Sequence, residues 1–408
     1  MIRSLWLSAL LGLSSLSFAS NLDVAVDAYW QRHPEAQGIE ARIIAAEANV
    51  ALAGRWIGDD PIISLSRLDA SDGRATETEL DLELPLPSGR KEKQSKAQAE
   101  QNAQLAERTL LRLRLAVELL RLNADIRAAF AQRELAQQRL DNAQQLYAQV
   151  QARVQAGELS EQDGWLSESD WLSARTLSSD ANQLCAELLA QWSQRTGETL
   201  ALDSSSGDAF YRPTALVNLE NFTPVEPTQF NIEEHPAIQL ANAKYQASLA
   251  DAQFQDGKWF NGSSVALTYK LDDDTLLNEQ VEYFGLRFSM PLHFGAHRRS
   301  EKHEAEAQKR ENYSTLQQQL RQLKIQQQRS YTQFQAVEQK AQWILSQQNL
   351  AEKQLQLALK AFTLGEQSLS ELLRIKASLF TAHALAIDVE KDHLLAYASI
   401  VEAQGYLP

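Results

Sequence analysis

The chain has a single cysteine, Cys185, in 408 residues. That count excludes an internal disulfide framework and a cysteine-rich metal site. Cys185 reads as a small core residue rather than a reactive one. Glycine (16) and proline (10) together make up about 6% of the chain, half their usual share. With so few breakers, long uninterrupted helices are expected. Positive charge is also scarce: 39 Lys+Arg stand against 53 Asp+Glu, a formal net charge of -14. This acidic balance argues against nucleic acid as a partner, because neutralising phosphates takes clustered Lys and Arg. Beyond the N-terminus, no segment approaches the ~18 consecutive apolar residues of a transmembrane helix. Any membrane entry must therefore use another structure. What is present is a 44% share of hydrophobic residues, enough to build a core and too many for general disorder. The length allows two or three domains.

Residues 1–19 are expected to be a secretory signal. Arg3 supplies the charged start. Leu5 to Leu16 form an apolar run too short and too serine-rich to span a bilayer, and Ser17-Phe18-Ala19 offers small residues at both positions a signal peptidase reads. No cysteine follows that cleavage site to carry an N-terminal lipid.

The two halves of the remaining chain match in order. His33-Pro34-Glu35-Ala36 is echoed by His235-Pro236-Ala237-Ile238, and Leu84-Pro85-Leu86 by Met290-Pro291-Leu292. Gly89 pairs with Gly295, and Gly157-Glu158-Leu159-Ser160 with Gly365-Glu366-Gln367-Ser368. The spacing grows slowly along the chain, as small loop insertions would make it. The expected organisation is a first repeat over residues 20–196, a connector over 197–233 rich in Ser, Gly, Asp and Pro, and a second repeat over 234–408.

Each repeat has one plan: helix, strand pair, long helix, glycine break, helix. In the first, a helix is expected near Gln37–Trp56, with strands near Ile62–Asp69 and Glu77–Leu86. Leu80, Leu82, Leu84 and Leu86 alternate with Glu79, Asp81 and Glu83, a period of two with one apolar and one acidic face. In the second repeat Val265, Leu267, Tyr269 and Leu271 alternate with smaller or polar residues, and so do Phe284, Leu286, Phe288 and Met290. These runs approach the ~9–11 residues of a tilted membrane strand, and they fit a soluble sheet with one buried face equally well.

From Arg90 to Ala156 there is neither Pro nor Gly, which at the standard rise is about 100 Å of helix. Ala136, Leu140, Ala143, Tyr147, Val150 and Val154 recur in steps of four and three. Leu316, Leu320, Leu323, Gln327, Ser330, Phe334, Val337, Ala341 and Ile344, then Ala351, Leu355, Ala358 and Phe362, continue the same rhythm in the second repeat. That is a heptad seam. It suits a wall of neighbouring helices, and also a dimeric coiled coil. In each repeat the helices before the strands and after the glycine break add up to the length of the long one, so each repeat can fold into a helical hairpin.

Taken together, these features resemble the TolC family of outer membrane efflux proteins. The second glycine break follows that family's aromatic-x-x-Gly-x-x-Ser pattern with an acidic residue and leucine after it, through Phe362, Gly365, Ser368, Glu371 and Leu373. His33-Pro34 and His235-Pro236 are similar to the family's repeat openings. The resemblance covers the whole chain after residue 19. It implies a mainly α fold with membrane β: a TolC-like homotrimer whose 12-stranded outer membrane β-barrel, four strands per protomer, continues as a periplasmic α-helical coiled-coil barrel. Closure of that barrel satisfies every backbone group in lipid. The turns at Gly157 and Gly365 would lie at the far, periplasmic end, and the connector would pack around the middle. The implied partners are outer membrane lipid, a periplasmic adaptor (membrane fusion) protein and an inner-membrane pump of the resistance-nodulation-division type. No cofactor and no enzymatic step are implied.

The resemblance also assigns residues. Gly157, Ser160, Phe362, Gly365 and Ser368 would form the tips on which an adaptor docks. Asp163 and Glu371, each three residues after the tip serine, would form rings of negative charge at an entrance gate. Both also fit as helix-start acids stabilised by the macrodipole. Where many members carry a second acid this chain has Arg374, one turn from Glu371 and able to pair with it. His293 and His297 have ligand-type spacing but no carboxylate or cysteine partner, so no metal site is assigned. Arg90, Lys91, Arg298 and Arg299 are expected at the periplasmic rim of the barrel. Length and motif style are most similar to the branch serving heavy-metal cation pumps. Drug or type I protein export stays open, as does a soluble periplasmic coiled-coil scaffold. An enzyme finds no Ser/His/Asp order or phosphate loop to rest on.

Overall fold

A computed structural model describes residues 22–55, 60–69, 75–86, 89–199, 231–256, 262–274, 279–291 and 296–405. The expected signal segment, nearly all of the connector, His293 and Gly295 lie outside these residues. In chain order the elements are α1 (22–32), α2 (Pro34–Ala53), β1 (Ile62–Asp69), β2 (Ala75–Pro85), α3 (Arg90–Gln155), α4 (Glu161–Thr196), α5 (Pro236–Asp256), β3 (Ser264–Asp274), β4 (Glu279–Ser289), α6 (Ala296–Thr363) and α7 (Leu369–Gln404). α2 starts earlier than the expected Gln37, at Pro34, and its counterpart α5 starts at Pro236. A proline is at home there, because its missing N–H would have no helical partner at that position. The backbone carbonyls of His33 and His235 then accept from Ala36 at 3.1 Å and Ile238 at 2.9 Å, and His235 Nδ1 accepts from the Ala237 N–H. α2 ends at Ala53 rather than at Trp56.

The chain forms two compact units, and each draws on both repeats. One contains residues 37–110 and 233–322 and holds the sheet. The sheet is antiparallel with order β1-β2-β3-β4. Its register aligns the alternating side chains into rows: Ile63, Leu82, Leu267 and Leu286 in one, Leu65, Leu80, Tyr269 and Phe284 in the next, with Leu84, Val265 and Phe288 beyond. All of these rows share one face, because side chains directly opposite in a pair point the same way. No described residue covers that face, and Phe284 is 82% exposed. The opposite face is polar. Arg287 reaches across a strand to Glu79 at 2.7 Å and Asp81 at 3.2 Å, and Lys270 pairs with Glu77. Thr268 and Ser264 donate to Asp81 and Glu83. Below the sheet, Gly89 has φ +60 and faces the Phe254 ring so closely that a Cβ would lie 2.5 Å from it. Lys93 stands over the same ring at 5.6 Å. Charged pairs tie the surrounding helices: Arg42–Glu107, Lys96–Asp251 and Lys302–Asp256.

The other unit contains residues up to 36, 111–232 and 323 onward. Its core joins Leu22 and Val26 of α1, Leu113, Leu119 and Ile126 of α3, Trp192 of α4 and Tyr397 and Val401 of α7. Cys185 is buried within this core. α6 packs on α7 through Phe334 with Ala396 and Ile400, and through Val337 and Ile344 with Val389. Lys340–Asp392 at 3.0 Å flanks that contact.

Candidate functional site

The two glycine breaks lie side by side in this second unit. Both are built the same way. Gly157 has φ +76 and Gly365 φ +77, the left-handed conformation that glycine adopts without a Cβ penalty. Gly157 N–H bonds to Val154 O and Glu158 N–H to Arg153 O; Gly365 N–H bonds to Phe362 O and Glu366 N–H to Ala361 O. Each tip thereby closes the end of its long helix with the paired 5→2 and 6→1 hydrogen bonds that consume orphan carbonyls. Each following helix opens on an N-cap serine in extended conformation. Ser160 accepts from the Asp163 N–H at 3.2 Å and Ser368 from the Glu371 N–H at 3.3 Å.

At this point the two tips diverge. Asp163 returns its carboxylate to Ser160, accepting from the backbone N–H at 3.3 Å and the hydroxyl at 2.7 Å, a complete capping box. Glu371 instead holds Arg374 through two hydrogen bonds, Nη2 to Oε1 at 2.5 Å and Nε to Oε2 at 3.1 Å. These bonds hold the Glu371 carboxyl below its ordinary value and push the Arg374 guanidinium higher still. The pair is exposed and close to neutral as a unit. Asp163 and Glu371 are thus each engaged within their own helix start.

The tips also meet. Leu146 and Val150 of α3 pack with Leu369 of α7, and Val154, Leu159, Phe362 and Leu373 close around them. Arg153 stands over the Phe362 ring at 5.7 Å and bonds Glu158 at 3.1 Å. Farther from the tips, Tyr147 stacks on Trp171 at 5.4 Å, and Arg139 lies over Phe380 at 5.4 Å while facing Asp170 at 3.6 Å. Nearby, burial lowers the affinity of Lys376 for its proton, and Asp170 opposes that effect. Sequence reading named the glycines, the serines, Phe362 and the acids, and the structure brings them together at the paired tips. The reading missed Arg153, Arg139 and Lys376, whose partners lie on other helices and leave no local spacing to read.

Among the described residues no group of three or more His, Cys, Asp and Glu is placed to hold a metal ion. No described helix is long and apolar enough to cross a membrane. The side chains of His297 and Arg298 lie outside the description.

Comparison with family models finds no match, and comparison with the sequences of curated proteins finds none either. Comparison of the fold does. A membrane protein from Pseudomonas aeruginosa superposes with a TM-score of 0.77 at 17% identity, over 94% of this chain and 90% of its own. The CmeC outer membrane channel of Campylobacter jejuni gives 0.75 at 14% identity, over 94% and 85%. The outer membrane protein VceC of Vibrio cholerae gives 0.75 at 14%, over 95% and 96%. The fold is that of a TolC-type outer membrane channel protomer. The resemblance drawn from the sequence holds at the level of the fold.

Proposed function

We propose that the chain is the protomer of an outer membrane channel of a tripartite efflux system, working as a homotrimer and passively conducting substrate delivered by an inner-membrane pump and a periplasmic adaptor. One observation carries this reading: a four-stranded sheet whose apolar face no described residue covers, and whose other face is an acidic, hydrogen-bonded ladder. Three strands are 11 residues long, the length a tilted strand uses to cross lipid. β1 and β4 have open edges within the protomer. Three copies joined edge to edge would close a barrel with the apolar rows toward lipid and the polar ladder toward the lumen. The fold likeness to outer membrane channels supports the same reading.

The substrate class we favour is heavy-metal cations, carried as cargo. The acidic inner ladder supports it, because Glu77, Glu79, Asp81 and Glu83 sit on successive inward positions of one strand. The paired tips are the proposed adaptor site, with Gly157, Ser160, Phe362, Gly365 and Ser368 as its framework. Asp163, Glu371 and Arg374 are the proposed entrance gate.

Fractionation of the cell envelope tests the reading, followed by the mass of the detergent-extracted species. A heat-resistant trimer in the outer membrane is expected. A water-soluble monomer or dimer would overturn the channel and favour the periplasmic scaffold. Deleting the gene and comparing sensitivity to divalent metals with sensitivity to drugs then tests the cargo: selective metal sensitivity is expected, and drug sensitivity alone would overturn the metal assignment.

A further inference from the structure

On β2, Glu77, Glu79, Asp81 and Glu83 alternate with the apolar positions and share the polar face of the sheet. Each of these four carboxylates has a donor. Lys270 of β3 pairs with Glu77, and Ser264 and Thr268 donate to Glu83 and Asp81. Glu79 and Asp81 share one cation, Arg287, at 2.7 and 3.2 Å. That arginine does not lie on a neighbouring strand. It belongs to β4, with β3 in between, so its side chain spans two strand spacings, about 9.6 Å.

The register shows how the arm crosses. Arg287 stands opposite Ala266 of β3. Asp81 lies one same-face row further along, with Thr268 and Gly285, and Glu79 lies two rows along, with Lys270 and Tyr283. Gly285 therefore occupies the first position on β4 in the direction the arm takes, and it has no side chain to stand in the way. The floor is small too: Ala266 carries only a methyl group and is 4% exposed. One carboxylate oxygen of Asp81 accepts from the Thr268 hydroxyl and the other from the guanidinium. The side chains of Asp81 and Glu79 are left 16 and 24% exposed, against 54% for Arg287. The group most open to solvent at these two acids is the cation.

We propose that Arg287 sets how strongly the barrel holds divalent cations: it is a fixed counter-ion that keeps Glu79 and Asp81 from chelating the cargo. The inference rests on the channel reading above, with this face toward the lumen. A conduit for cations needs negative charge to favour entry and weak sites to allow exit. Two acids on one strand face stand about 6.8 Å apart, and with nothing between them both can close on one divalent ion. With the guanidinium spanning them they still supply field, but their oxygens are taken. Arginine suits the task, because its planar fork serves two carboxylates at once and keeps its charge throughout the physiological pH range. The acidity that the strand shows in sequence is thus set by one residue of another strand.

The test records potassium current through the full-length protein in planar bilayers, with zinc chloride added to the chamber that faces the barrel. Arg287→Gln is expected to lower the zinc concentration for half-block about tenfold, the effect of one unit charge on a divalent ion a few ångströms away in water. It should also raise the potassium-to-chloride permeability ratio. Arg287→Lys restores the charge and should rescue most of both effects. Arg287→Gln with Glu79→Gln has the wild-type formal charge and should return to wild-type values. A wild-type channel that conducts, with half-block and permeability ratio unchanged in Arg287→Gln, overturns the counter-ion and leaves the channel reading in place. A wild-type protein that is soluble and gives no conductance overturns both. Failure of the double variant to recover would make Arg287 a strap across the sheet alone and overturn the proposal. Extra block seen only with zinc in the opposite chamber would move the effect away from the barrel and overturn it as well. If Arg287→Gln does not assemble, Glu79→Gln with Asp81→Asn reads the same balance from the other side. The guanidinium without its acids should then turn the permeability ratio toward chloride, and an unchanged ratio overturns the proposal.

Discussion

The guanidinium of Arg153, at the end of the first long helix, lies 5.7 Å from the centre of the Phe362 ring at the end of the second. Its Nε is also held by Glu158, 3.1 Å away. One side chain thereby links the tip of one repeat to the tip of the other. An exposed contact of this kind is worth about 0.5–1 kcal/mol, enough to bias an opening equilibrium without fixing it. Arg153→Ala or Phe362→Ala is expected to raise amide exchange in both tip turns by about two- to fivefold, with each single change close to the double. Additive effects in the double variant would mean that the two groups act independently.

The Glu371–Arg374 pair has a pH dependence of fixed sign. The carboxyl is held below its ordinary value by the two hydrogen bonds from Arg374. A group depressed in the folded state stabilises above its unfolded value and loses that stabilisation as pH falls through the folded one. Protection of the first turn of α7 is therefore expected to be constant near neutral pH and to fall below the unshifted value of 4.5. Glu371→Gln should flatten that profile. In single-channel recordings, Arg374→Ala should increase cation selectivity by freeing Glu371, and no change in selectivity or conductance in either variant would sink the acidic gate.

Much of this was legible in the sequence, and the residues show why. Most of the heptad seam read along the second repeat is a buried row of α6: Leu316, Leu323, Phe334, Val337, Ile344, Ala351 and Ala358 are buried, while Leu320, Ala341, Leu355 and Phe362 are half-buried. Even its polar members are buried, and Gln327 donates to the Ala403 carbonyl at 3.0 Å. The strand alternation became aligned rows because a period of two admits only one face per register. The glycine breaks were legible because a left-handed turn needs glycine. The exposed row Trp343, Leu350 and Leu357 of α6 was not, although it has an equally strict period. A sequence shows a stripe but not whether anything covers it, and two stripes offset by one residue blur into a single broad one. The pairing of Arg153 with Phe362 was hidden too, since it joins residues 209 positions apart through tertiary packing.

Two glycines separate backbone strain from crowding. A Cβ at Gly157 would meet nothing within 4 Å, whereas one at Gly89 would strike the Phe254 ring. Both positions have positive φ. Gly157→Ala should therefore cost only the left-handed penalty, about 1–2 kcal/mol, and Gly157→Asn less. Gly89→Ala should cost more, and adding Phe254→Ala should recover the steric part alone. Thermal unfolding of the detergent-solubilised protein checks the order. Equal losses for the two alanine variants would mean that the Phe254 ring gives way freely.

The sheet offers the sharpest contrast, because adjacent residues of one strand face opposite ways. Phe284 and Leu286 lie in the uncovered apolar rows, while Gly285 and Arg287 share the face of the acidic ladder. If the apolar rows meet lipid, an arginine there costs about 2–4 kcal/mol at mid-bilayer depth. Leu286→Arg is then expected to remove most of the heat-resistant trimer from the outer membrane fraction. Thr268→Arg, on the ladder face beside Asp81, should assemble normally, since it adds a cation among carboxylates. It should also lower cation selectivity by placing positive charge in the lumen. The reverse pattern, with Leu286→Arg tolerated and Thr268→Arg lost, would put the apolar face against protein instead of lipid.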